Sequence, residues 1–103
     1  MNERRTDMEN AKDRPIQATQ QELRRLGWED DPDGDRGALR RTYGEYGRRT
    51  GRVRFHIQED GSFVIRLTVR QWNDLKFGDI FLPSGNPTAD AREINEVCFR
   101  HFG

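Results

Sequence analysis

Between Arg52 and Arg70 apolar and polar residues alternate. Val53, Phe55 and Ile57 alternate with Arg54, His56 and Gln58; beyond Asp60-Gly61, Phe63, Ile65, Leu67 and Val69 alternate with Val64, Arg66, Thr68 and Arg70. A period of two on both sides of Asp-Gly predicts a β-hairpin with one buried face. A two-residue loop would pair Phe55 with Arg66 and mix the faces. A three-residue loop, Glu59-Asp60-Gly61, pairs Ile57 with Phe63, Phe55 with Ile65 and Val53 with Leu67. It also puts a glycine at the left-handed third position such loops favour, so the buried face selects this register. The consequence is chemical. Arg52, Arg54, His56, Arg66, Thr68 and Arg70 are expected to share the opposite face.

The flanking pattern predicts helices. Thr19-Gln-Gln-Glu22 has the form of a capping box, followed by Leu23 and Leu26 on one face and a Gly27 stop. If Ile16 and Ala18 are also helical, the start moves earlier and Thr19 is not the cap. Trp28 follows as a core candidate. Residues 38–46 read as an irregular strand weakened by glycine. Ile80 and Leu82 alternate across Phe81, suggesting a strand over 78–82 with Asn73-Asp74 as the preceding turn. Trp72 and Phe81 would be good interface anchors if exposed, but in so thin a core both are expected to be buried. Asn86-Pro87 opens a closing helix that runs to about His101, with Ala91, Ile94, Cys98 and Phe102 or His101 as its inner stripe and Val97 beside them. The expected fold is α+β: a small antiparallel sheet of three to four strands, with a short N-terminal helix and a C-terminal helix packed on one face. There is no internal repeat.

Composition narrows the class. The chain has 103 residues and 35% are charged, but 18 basic and 18 acidic side chains cancel. Disorder requires a high net charge as well as a thin apolar content, so a folded domain is expected. Residues 1–15 hold only Met1, Met8 and Ala11 as apolar side chains and read as a disordered arm, leaving 16–103 as a single domain. No apolar run is long enough to span a membrane and no charged-then-apolar leader is evident, so a cytoplasmic protein is expected. One cysteine, Cys98, cannot form an internal disulfide. All basic residues except Lys12 and Lys76 are arginine. Such a bias follows simply from a GC-rich genome, though the guanidinium fork also suits carboxylate and phosphate.

Few residues suggest reaction chemistry. Glu29, Asp31, Asp33 and Gly34 are spaced like the front of a calcium loop, but Arg40 stands where the bidentate carboxylate belongs, so a solvated acidic loop is expected. Cys98, His101 and His56 are the only soft ligands and lack a second cluster, so no metal and no cofactor is expected. No phosphate-cradling or nucleophile-elbow motif occurs, and the chain reads as a non-enzyme. Arg40 to Gly51 interleaves Tyr43 and Tyr46 with Arg40, Arg41, Arg48 and Arg49. Gly44 to Gly47 has the outward form of a GXXG loop, but Glu45 would repel a nucleic-acid backbone. Together with Arg52, Arg54, Arg66 and Arg70 these side chains form the candidate contact set. Separate acidic and basic blocks with no net charge suit a protein complex, including one that handles nucleic acid, better than phosphate backbone. The expected function is therefore a protein-binding module or inhibitor that occludes a partner surface. Small accessory proteins of phages and mobile elements, anti-defence inhibitors among them, have this size and character. Direct nucleic-acid binding is the alternative. An edge strand would permit a homodimer as well as a monomer.

Overall fold

The computed structural model describes residues 15–34, 37–44 and 48–101. The expected N-terminal arm, Tyr46, the centre of the GXXG-like loop and Phe102 lie outside the described residues. Helix α1 covers residues 15–25. Five strands follow: β1 (Glu29–Asp30), β2 (Leu39–Tyr43), β3 (Arg49–Ile57), β4 (Phe63–Gln71) and β5 (Asp74–Phe81); helix α2 (Pro87–Arg100) closes the order. The strands form one antiparallel meander, β1-β2-β3-β4-β5. Three to four strands were expected. The additional one, β1, is two exposed acidic residues with no alternation to read; it exists because Glu29 and Asp30 pair with Arg40 and Leu39.

The β3–β4 register is the one the alternation selects: Ile57 opposite Phe63, Phe55 opposite Ile65, Val53 opposite Leu67 and Arg54 opposite Arg66. Gly61 takes φ +87° at the third loop position, and the Gln58 amide donates to the Ser62 carbonyl at 2.7 Å. Asp60 braces the loop by accepting from the Ser62 hydroxyl and amide. These hydrogen bonds hold its carboxyl below the usual value.

One face of the sheet is covered. Leu39, Val53, Ile65, Leu67 and Val69 are fully buried against Ile16 and Leu23 of α1, Trp28, and Ala91, Ile94 and Cys98 of α2. Each large aliphatic buried this way contributes about 1.5–3 kcal/mol. Residue 15 is already helical, so Thr19 is inside α1 and not its cap; its hydroxyl donates back to the Pro15 carbonyl at 3.1 Å. The far end of α1 closes on Gly27 (φ +102°), with Trp28 donating to Leu23 and Gly27 to Arg24, the paired bonds of a Schellman motif. At α2, Asn86 accepts from the Ala89 amide and Pro87 fills the first turn. Asp90 is buried and accepts from the Ser84 amide and hydroxyl, tying the incoming loop to the helix.

β5 is longer than expected, and its turn is shifted one residue back. Gln71 pairs with Asp74, so Trp72-Asn73 is the turn, and the ladder carries a bulge at Val69/Arg70. Phe77 and Phe81 lie half-buried on the core. Among the described residues no helix is long and apolar enough to cross a membrane.

Candidate partner-binding face

Both helices lie on one side of the sheet, so the other side is open. The strict period of β3 and β4 puts Arg52, Arg54, His56, Arg66, Thr68 and Arg70 there. β2 adds Arg40 and Thr42, opposite Arg52 and Thr50. β5 adds Gly78 and Ile80, opposite Thr68 and Arg66, and the bulge brings Leu75 opposite Arg70.

The arginines of this face differ in what surrounds them. Toward the β1 edge they meet the acidic loop. Arg40 pairs with Glu29 at 3.1 Å; Arg52 lies 3.3 Å from Asp31, whose side chain is completely buried, and 3.9 Å from Asp33. The acidic stretch is thus a structural loop whose carboxylates neutralise its own sheet. Asp31 also accepts from the Asp33 amide. Toward β5 no ion pair is found among the described residues. Arg70 donates to the Asn73 carbonyl at 3.2 Å, while Arg54 and Arg66 have no ion pair or hydrogen bond among the described residues. These two stand directly opposite each other across the ladder, where like charges disfavour the fold.

Several members of the expected contact set lie off this open face. Arg41 and Tyr43 fall on the helix side because β2 alternates from the buried Leu39. The Arg41 guanidinium donates to the Leu26 carbonyl at the end of α1 and, at 2.7 Å, to Asn95 of α2. A cation there complements the carbonyl end of a helix. It also lies over the rings of Tyr43 and Phe99, 4.7 and 5.2 Å from their centroids, and those rings meet edge-on at 4.8 Å. Asn95 accepts from the Trp28 indole as well, at 3.1 Å, so Arg41 and Trp28 share one acceptor. Arg41 therefore bolts the two helices to the sheet. Burial raises the Tyr43 phenol above its ordinary pKa, with Arg41 opposing that shift. Arg49 lies opposite Tyr43 and shares the helix side. Arg48 is exposed just before β3, and its carbonyl accepts from the Trp72 amide at 2.9 Å.

Trp72 is the main residue the sequence reading misplaced. It was expected in the core, yet it is 67% exposed. Among the described residues it is also the one non-glycine with positive φ, at +56°. A two-residue hairpin turn with positive φ at its first position normally has glycine there, and a bulky side chain in that conformation costs about 1–3 kcal/mol. Leu75 and Ile80, both 56% exposed, continue an apolar strip from Trp72 along β5. The only advance signal for this strip was the apolar mass after Arg70; nothing in its spacing showed which side it would take.

The result is an open concavity of about 510 Å³. It lies between Arg52/Arg54 on β3 and Arg66/Arg70 on β4, with Thr68 at its base and Trp72-Asn73 at one end. The described residues contain no cluster of three or more metal-ligating side chains. Cys98 is buried under the helix with its thiol pushed up to about 12, chiefly by desolvation and despite the nearby Arg41. The His101 ring stacks on Phe77 at 4.1 Å. No protein-family model matches the chain, and no similarity to a curated protein or a solved structure is found.

Proposed function

We propose that this chain is a non-catalytic binding module that occupies a partner protein through the open face of its sheet, with Arg54, Arg66, Arg70 and Trp72 as the principal contacts. One observation carries the reading: two arginines opposed across a ladder, unpaired among the described residues, beside an exposed tryptophan in a strained turn. Each feature costs the isolated fold free energy, and each is relieved or used when a complementary surface covers the face. Arginine and tryptophan are the residues that dominate protein–protein binding energy. The exposed Leu75 and Ile80 beside them offer apolar contact that phosphate would not use.

The test is affinity capture, after nuclease treatment, from a lysate of cells in which the chain occurs. Wild type is compared with Arg54→Glu/Arg66→Glu and with Arg92→Glu/Arg100→Glu, a reversal on exposed positions of α2. The face reversal should lose the captured protein and the helix reversal should keep it, both variants retaining the wild-type circular dichroism. Capture that survives the face reversal refutes the reading. Capture that vanishes with nuclease assigns the face to nucleic acid.

A further inference from the structure

The open face has relief as well as charge. The register sets three rows across β3, β4 and β5: Arg54, Arg66 and Ile80; then Arg52, Thr68 and Gly78; then Thr50, Arg70 and Leu75. The middle row is low on its β4–β5 side, because Thr68 is short and Gly78 has no side chain. The outer rows stand tall there, and each joins a guanidinium on β4 to an aliphatic side chain on β5. Along the strands, Arg66 and Arg70 form a charged column on β4 about 13 Å long, and Ile80 and Leu75 an aliphatic column beside it on β5. An α-helix with its side chains is about 10–12 Å across, wide enough to cover both columns.

We infer that this face receives an acidic amphipathic helix from a partner protein, lying along β4 and β5 with its carboxylates on Arg54, Arg66 and Arg70 and its apolar side chains on Trp72, Leu75 and Ile80. The inference rests on the proposed function and names the chemistry of the partner. Charge complementarity supports it directly. The chain's own carboxylates, Asp31 and Asp33, already sit against this face on Arg52, while Arg54, Arg66 and Arg70 carry no carboxylate among the described residues. The acidic block that neutralises Arg52 and Arg40 also bounds the basic area to one end of the sheet. A phosphate backbone running across the face would meet Glu29, Asp31 and Asp33, whereas a short acidic segment ends before them. The aliphatic column on β5 gives a helix's apolar stripe a place that phosphates would leave wet.

The test uses the whole chain, ¹⁵N-labelled, and three probes. The first is a peptide of about 16 residues with Glu and Leu segregated to opposite faces of a helix, long enough to be helical once docked. The second has the same composition scrambled so that the faces mix. The third is a double-stranded oligonucleotide. The segregated peptide should shift the Thr68 and Gly78 amides and the Trp72 indole, and should gain helical circular dichroism. The scrambled peptide should bind at least tenfold more weakly, and Arg54→Glu/Arg66→Glu should abolish the shifts. Equal binding of the two peptides, or shifts produced by the oligonucleotide alone, overturns the inference. So does silence from all three probes. If the capture experiment still loses its protein on face reversal, that silence removes the acidic helix while leaving the binding role standing.

Discussion

The opposition of Arg54 and Arg66 can be measured without any partner. Two guanidinium charges about 7 Å apart in a water-like dielectric repel by roughly 0.6 kcal/mol. Salt at ~0.1 M, with a screening length of about 10 Å, cuts this to about 0.3 kcal/mol. Arg54→Glu alone turns the repulsion into an attraction, as does Arg66→Glu alone, and the double reversal restores a like-charged pair. The coupling across that cycle is four times the pair energy, so about 1 kcal/mol is expected. Interactions of either residue with Arg52 or Arg70 cancel in the coupling, which isolates this one pair. Urea unfolding followed by circular dichroism is the assay, since urea adds no ions. Each single reversal should gain stability from this pair and the double should lose it again, with the coupling fading toward zero near ~1 M salt. A coupling near zero at low salt would mean the side chains are not neighbours. A coupling of the opposite sign would refute the register itself.

Other outcomes follow from the same geometry. Arg41→Ala should destabilise the fold by about 2–3 kcal/mol in the same assay, because it removes a charged donor from Leu26 and Asn95, and Arg41→Lys should recover only part, lacking the planar guanidinium that lies over the Tyr43 and Phe99 rings. Trp72→Gly should leave stability within about 1 kcal/mol of wild type, relief of strain offsetting the lost contacts, yet weaken partner capture at least tenfold. Native Cys98 should resist a thiol-directed reagent at pH 8 and react once urea unfolds the chain. Because its folded pKa is raised to about 12 from 9.0, stability contributed by the neutral thiol is complete below pH 9 and declines as pH rises from there toward 12; urea midpoints in Cys98→Ala should show a smaller decline.

The hairpin was legible because a period of two leaves one register that puts Val53, Phe55, Ile57, Phe63, Ile65, Leu67 and Val69 on one face, and Gly61 sits where that register needs it. The closing helix was legible for a similar reason: Asn86 and Pro87 mark its start chemically. What escaped was decided at longer range. Glu29-Asp30 forms a strand only because Arg40 and Leu39 are beside it. Arg41 looked like one more surface arginine in a basic run, and its place under the helices depends on Leu39 being buried two residues before it. A thin core argues for burying Trp72, whereas the Gln71–Asp74 pairing puts it at the turn and exposes it. Within the candidate face the sequence therefore located the β3 and β4 arginines but not the apolar strip on β5.

The claim at the centre of this account is that the open side of the sheet is the surface the partner covers. Arginine-directed labelling with phenylglyoxal, read by mass spectrometry on the free chain and on the captured complex, tests it residue by residue. Arg54, Arg66 and Arg70 should react in the free chain and be protected in the complex, while Arg92 and Arg100 react equally in both. Protection of the α2 arginines with Arg54 and Arg66 still reactive would place the partner on the other side of the molecule and contradict the account.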